Sequence, residues 1–283
     1  MFPYTVDVPM ARLPLANWIL IAVTSVISLA ILTGIWRSGP EPVEDDLDAI
    51  LRKPGARLPS HAITPVFGRD RDTVPPLALR PGDFHVGQLF THVFVHASLF
   101  HLLGNMLFLF CFGNAVNAKL GHGIYLVSYF VFGALAGAGM LLLSGDSRPA
   151  VGASGAIMGV VGVFFVLFPK NEVSIFYWWG PNWAGTFGLA AMWVITFYLI
   201  MDLLGTIYDG GGAVGYVAHL IGALVGIGTG VALVRTGVVR STQYEENLLQ
   251  MLGFQKKRER NPDPVPLSRT SQQWEGQPRR RRR

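Results

Sequence analysis

Four polar residues stand in sequence that is otherwise almost wholly apolar: His101, Asn105, Ser154 and His219. Polar side chains inside membrane-length apolar segments are costly to keep and are functional suspects by default. A serine is a weak nucleophile by itself, but a histidine within hydrogen-bond reach can take its proton and make it attack a carbonyl carbon. The chemistry available to this set is therefore acyl transfer, with Ser154 as nucleophile and His219 as base. His101 and Asn105 are four residues apart and share one helix face. Together with backbone N–H groups at a helix start near Ser154, they could hold an oxyanion. No Asp or Glu occurs in the outer parts of the segments carrying these residues, so a Ser-His dyad is favoured over a triad. Each residue alone has an ordinary explanation. A membrane serine usually bonds back to a carbonyl one turn earlier, and a lone histidine can be a packing residue or a proton relay. Their placement has to carry the inference.

The elements that must position them follow from charge segregation. Only 14% of the chain is charged, against about a quarter in soluble domains. Six stretches contain no Asp, Glu, Lys or Arg: 13–36, 84–118, 120–145, 149–169, 173–201 and 210–234. Roughly 20 apolar residues suffice for a helix to cross the hydrocarbon core, and none of the runs alternates as a membrane β-barrel strand would. The expected fold is an all-α membrane protein, a bundle of six transmembrane helices. Its parts are a short N-terminus (1–12), a membrane domain (13–235) with an outer loop at 37–88, and a basic tail (236–283) that reads as disordered. Within the outer loop, the acids of 44–48 followed by Arg52 and Lys53 suit a short helix, and 84–95 reads as a partly embedded loop before a helix start near Ser98.

Orientation comes from the basic residues. Twelve of the 23 Lys and Arg lie in 235–283, ending in Arg279 to Arg283. Lys/Arg excess marks the cytoplasmic side, and six spans put both termini there. The positive charge thus speaks for a lipid surface and not for nucleic acid. Lys119 and Lys170 then fall in cytoplasmic turns. The first span is too long for a signal peptide h-region, and a bacterial cell membrane is the expected location. With this topology spans two, four and six all enter from outside, so His101, Asn105, Ser154 and His219 reach a similar depth on one side.

Glycines sharpen the placement. Gly222, Gly226 and Gly230 follow His219 within roughly 80° of the same helix face, and Gly155, Gly159 and Gly162 form a strip beside Ser154. Small residues at such intervals let membrane helices approach closely, which a Ser-to-His hydrogen bond requires. Gly133, Gly137 and Gly139 in span three need no reading beyond packing. Cys111 reads as a small core residue.

At these residues the sequence resembles the rhomboid family of intramembrane serine proteases, from about 84 to 230. The segment 88–106, QLFTHVFVHASLFHLLGNM, is similar to the family's entry into its second helix, including the H-x-x-x-N pair. Leu109 and Gly113 continue that pattern. Gly152-Ala-Ser154-Gly155 is similar to its G-x-S-G nucleophile motif, and Ala218-His219 with Gly222 and Gly226 to its last helix. The resemblance implies a six-helix fold with an outward-opening aqueous site, Ser154 and His219 as the dyad, and His101, Asn105 and Gly152 as oxyanion- or substrate-stabilising residues. It implies cleavage of other transmembrane proteins in or beside their membrane segments, with no metal and no cofactor. Three positions depart from the pattern. Met158 stands where many bacterial members have an aromatic residue, Asn117 where an acid is common, and Ile221 where a second glycine is common.

The alternatives are weaker. A catalytically silent relative that binds and escorts membrane clients typically lacks the serine or histidine. A transporter predicts mid-membrane ionisable residues, whereas Asp202, near the outer end of span five, is the one carboxylate flanked by long apolar sequence. There is no H-E-x-x-H zinc motif and no pair of membrane aspartates, and Lys119 and Lys170 lie at the opposite face from Ser154.

Overall fold

A chain crossing a bilayer must satisfy its backbone hydrogen bonds within itself, and the long apolar runs do so as helices. The computed structural model describes residues 2–34, 75–143, 149–180, 183–208, 215–242 and 245–256. The suggested helix at 44–53 and the arginine cluster at 279–283 lie outside them. Five helices are long and apolar enough to span a membrane: α1 (Leu15–Leu32), α2 (Leu99–Leu120), α3 (His122–Leu143), α5 (Ala191–Tyr208) and α6 (Tyr216–Arg235). Between α3 and α5 lies α4 (Ser154–Leu167), of 14 residues.

Helix α4 is the centre of the bundle. Every residue from Gly155 to Leu167 except Phe165 is buried, and a helix apolar on all sides belongs inside. It is shorter than its charge-free run because both ends are broken. Gly152 has a φ of +120°, a conformation that favours glycine. Pro169 follows the C-cap Phe168, and a residue before proline leaves the helical region. At 1.5 Å per residue α4 is about 21 Å long, short of a hydrocarbon core of roughly 30 Å. A helix of that length leaves at least one of its ends inside the membrane.

The fifth span differs from the sequence expectation. Residues of the run 173–201 do not form one helix. Strands β2 (Glu172–Trp178) and β3 (Ala184–Ala190) form an antiparallel hairpin, and α5 begins only at Ala191. Val173, Ile175, Phe176, Tyr177 and Trp178 are residues that favour a pleated strand, and Gly180, at φ +139°, turns the chain. Strand β1 (Phe2–Val6) adds to β2, giving the order β1-β2-β3, so the N-terminal residues are structured as well.

The far end of the bundle from Ser154 is tied together by charge. Asn171 Nδ2 donates to the Asp7 carbonyl. Lys119 pairs with the buried Glu245, and Lys170 with Glu246 at 3.0 Å. The short helix α7 (Leu248–Met251) carries a full capping box between Asn247 and Gln250, and Leu249 is buried in the core. The tail expected to be disordered from 236 thus folds back over residues 245–256.

Buried amides join α1 to the bundle. Asn17 Nδ2 donates to Asn114 Oδ1 (2.8 Å) and to the Leu109 carbonyl (2.9 Å). The second acceptor lies at the start of a π-helical turn, Leu109–Gly113, inside α2. Asn117, where the family pattern commonly has an acid, is fully buried and accepts from the Asn17 N–H.

Candidate active site

Helix α2 starts where the sequence expects. The hydroxyl of Ser98 accepts from the His101 N–H at 3.1 Å and caps the helix. One turn on, Asn105 is buried, and its Nδ2 has no hydrogen-bond partner among the described residues. A buried donor left unpaired is costly; here it sits one turn from His101, on the same face.

The approach to Ser154 is held from three directions. Leu79 and Ala150 exchange backbone hydrogen bonds at 2.9 and 2.8 Å. The Gly152 N–H donates to the His92 carbonyl at 3.1 Å, and the Ala153 N–H to His96 Nε2 at 3.4 Å. Ser28 Oγ donates to the Phe94 carbonyl at 2.7 Å, which leaves its contact of 2.8 Å with His96 Nδ1 to be donated by the imidazole. That tautomer puts the lone pair on Nε2, facing the Ala153 N–H. Fully buried His96 thereby links α1 to the start of α4, and its ring meets that of His101 edge-on at 5.1 Å. Glycine is required at 152 for space as well as for conformation: a Cβ there would lie 2.8 Å from His101 Cε1.

Ser154 is the first residue of α4, and no side chain caps the helix. The first-turn N–H groups of an α-helix have no intrahelical partner and lie at the positive end of its dipole. On the other side stands α6. A Cβ on Gly155 would lie 3.5 Å from the Ala218 carbonyl oxygen, so the neighbour of Ser154 abuts the neighbour of His219. The approach continues downwards. A methyl group at Gly222 would overlap the Gly155 carbonyl, one at Gly226 the Gly159 carbonyl, and one at Gly162 the Ala223 carbonyl. Ile221 fits because Gly139 of α3 faces it, with no room for a side chain of its own. Ser154 Oγ makes no hydrogen bond among the described residues.

The family model described as Rhomboid domain matches residues 83–236, more than half of the 283 residues. The chain belongs to the rhomboid family. Its relatives include YdcA of Bacillus subtilis, 36% identical over 118 residues, covering 41% of this chain and 57% of YdcA. The rhomboid protease GlpG of Salmonella choleraesuis is 30% identical over 144 residues, covering 51% and 47%. The chloroplastic rhomboid-like protein 11 of Arabidopsis thaliana is 31% identical over 149 residues, 50% of each. The chain spans about half the length of these relatives. Fold and family make it an integral membrane protein.

Two side chains at this rhomboid site escape the sequence reading. Tyr216, one turn before His219, places its ring edge-on at 6.5 Å from the imidazole. Asp202 of α5 reaches across to His219, with Oδ1 3.1 Å from Nδ1. The sequence holds a signal for the second, a carboxylate inside an apolar helix, but no local pattern says which helix it faces.

Proposed function

We propose that the protein is an intramembrane serine protease that cleaves other transmembrane proteins in or beside their membrane segments, with Ser154 as nucleophile and His219 as base. The observation that carries this is the seat of Ser154 at the bare N-terminus of α4, with glycine backbone against α6 at Ala218. That seat puts a hydroxyl beside first-turn N–H groups that have no intrahelical partner, and it abuts the residue before His219. In the first half-reaction Oγ attacks the scissile carbonyl carbon while its proton passes to His219 Nε2. The oxyanion is received by the α4 N–H groups, Asn105 Nδ2 and His101, beside a Gly152 that leaves them room. The proton then goes to the leaving amine, and water hydrolyses the acyl-enzyme by the same steps.

The location follows the same reading. Lys119, Lys170 and the folded segment 245–256 share one end of the bundle, which the positive-inside tendency puts in the cytoplasm with both termini, in a bacterial cell membrane. Ser154 then opens to the outside.

The test is labelling of purified protein in detergent with a fluorophosphonate probe. Wild type is expected to label, and Ser154→Ala and His219→Ala are each expected to abolish it. A folded wild type that stays unlabelled would sink the proposal and favour the silent, client-binding alternative. The vacant Asn105 donor makes a second prediction. Asn105→Ala is expected to lower kcat on a transmembrane substrate ~10²-fold, the size of losing one oxyanion donor, with little change in thermal midpoint. Among the described residues Nδ2 has no partner to lose.

A further inference from the structure

We propose that Asp202 orients His219, so that the site works as a Ser154–His219–Asp202 triad and not as a dyad; this rests on the protease reading above. The carboxylate comes from α5 and the imidazole from α6, 17 positions apart in sequence. Their side chains are 13% and 15% exposed, so the pair is largely withdrawn from water. A carboxylate in an apolar helix must be paired or lost, and among the described residues His219 is the one side chain that bonds this carboxylate.

The geometry has a chemical consequence. A carboxylate can only accept, so the 3.1 Å contact assigns the imidazole proton to Nδ1. The lone pair is then on Nε2, the nitrogen that must take the Ser154 proton. When Oγ forms its bond to the carbonyl carbon, that proton moves to Nε2 and the ring becomes cationic. Asp202 accepts from Nδ1 throughout, and the imidazole keeps that proton. The Nε2 proton leaves with the amine as the C–N bond breaks, so Asp202 neither gains nor loses a proton. Asp202 touches no reacting atom; it is a positioning residue. Tyr216 stands edge-on to the same ring at 6.5 Å.

The experiment uses the full chain in detergent micelles and a fluorophosphonate probe. Asp202→Asn is expected to slow labelling ~10²-fold. That is less than the ~10⁴-fold seen when the carboxylate of a soluble triad is neutralised, because water reaches part of this pair. Asp202→Glu is expected to recover most of the rate, since a longer carboxylate can still accept from Nδ1. A ¹⁵N spectrum of the histidines, with His219 assigned by the His219→Ala variant, is expected to show an Nδ1–H tautomer in wild type and a mixture in Asp202→Asn. Thermal melting checks that the variants are folded. Wild-type labelling rates in Asp202→Asn with an unchanged tautomer would overturn the triad while leaving the dyad standing. So would slow labelling that tracks lost stability and is not recovered by Glu. A wild type that does not label removes the protease reading and the triad with it.

Discussion

Cleavage of a transmembrane substrate is expected to fall by about 10⁴-fold or more in Ser154→Ala, equally in His219→Ala, and no further in the double variant. Residues that act as a unit behave this way, because removal of either leaves the other with nothing to do. The structure sets up the dependence. Ser154 begins α4 and His219 lies in the first turn of α6, and the two helices meet at Gly155 and Ala218. Residual turnover would come from oxyanion binding by Asn105 and the α4 N–H groups. The check is kcat and KM for both single variants and the double. A double variant slower than wild type by the product of the two single effects would mean that the two residues act independently. Unchanged KM in all three would locate the loss in chemistry and not in substrate binding.

The second large effect is expected from a single methyl group. Gly226→Ala is expected to lower the thermal midpoint in detergent and cut activity steeply, while Gly228→Ala, two residues on, leaves both intact. A Cβ at Gly226 overlaps the Gly159 carbonyl of α4, whereas a Cβ at Gly228 meets nothing within 4 Å. The obstruction is backbone, which cannot rotate aside, so α4 and α6 must separate. Overpacking of this kind costs about 1–3 kcal/mol, more than the ~1 kcal/mol that alanine gains over glycine in helix propensity. Gly228→Ala has only the propensity gain. Since α4 carries Ser154 and α6 carries His219, separation also lengthens the reach between hydroxyl and imidazole. Equal melting points and equal rates for the two variants would show that the helices are not held by this glycine contact.

Much of the fold was legible because a bilayer makes sequence signals local and strong. Charge-free runs long enough to span, bounded by Arg12, Lys119, Lys170 and Arg235, mark the helices without reference to any partner. The capping Ser98 marks the start of α2 in the same way. The glycine strips on α4 and α6 are periodic features of single helices, and they predict a close approach that the packing of Gly222 and Gly226 on α4 contains. The likeness of residues 84–230 to the rhomboid family was likewise carried by short motifs in order.

What stayed hidden depends on partners far apart in the chain. Residues 173–190 are as free of charge as a span, and only pairing with β1, some 170 positions away, and within the hairpin makes them strands. Glu245 and Leu249 lie in polar sequence that composition assigns to a solvated tail, yet Lys119 and a core surface receive them. His96 carries no periodic signal, and its role in joining Ser28 to Ala153 exists only once α1 lies beside the start of α4. Asp202 is the sharpest case. Its helix could have turned the carboxylate to either side, and rotation about a helix axis is not written in local composition. It is decided by the packing of α5 on α6, which brings the carboxylate to His219.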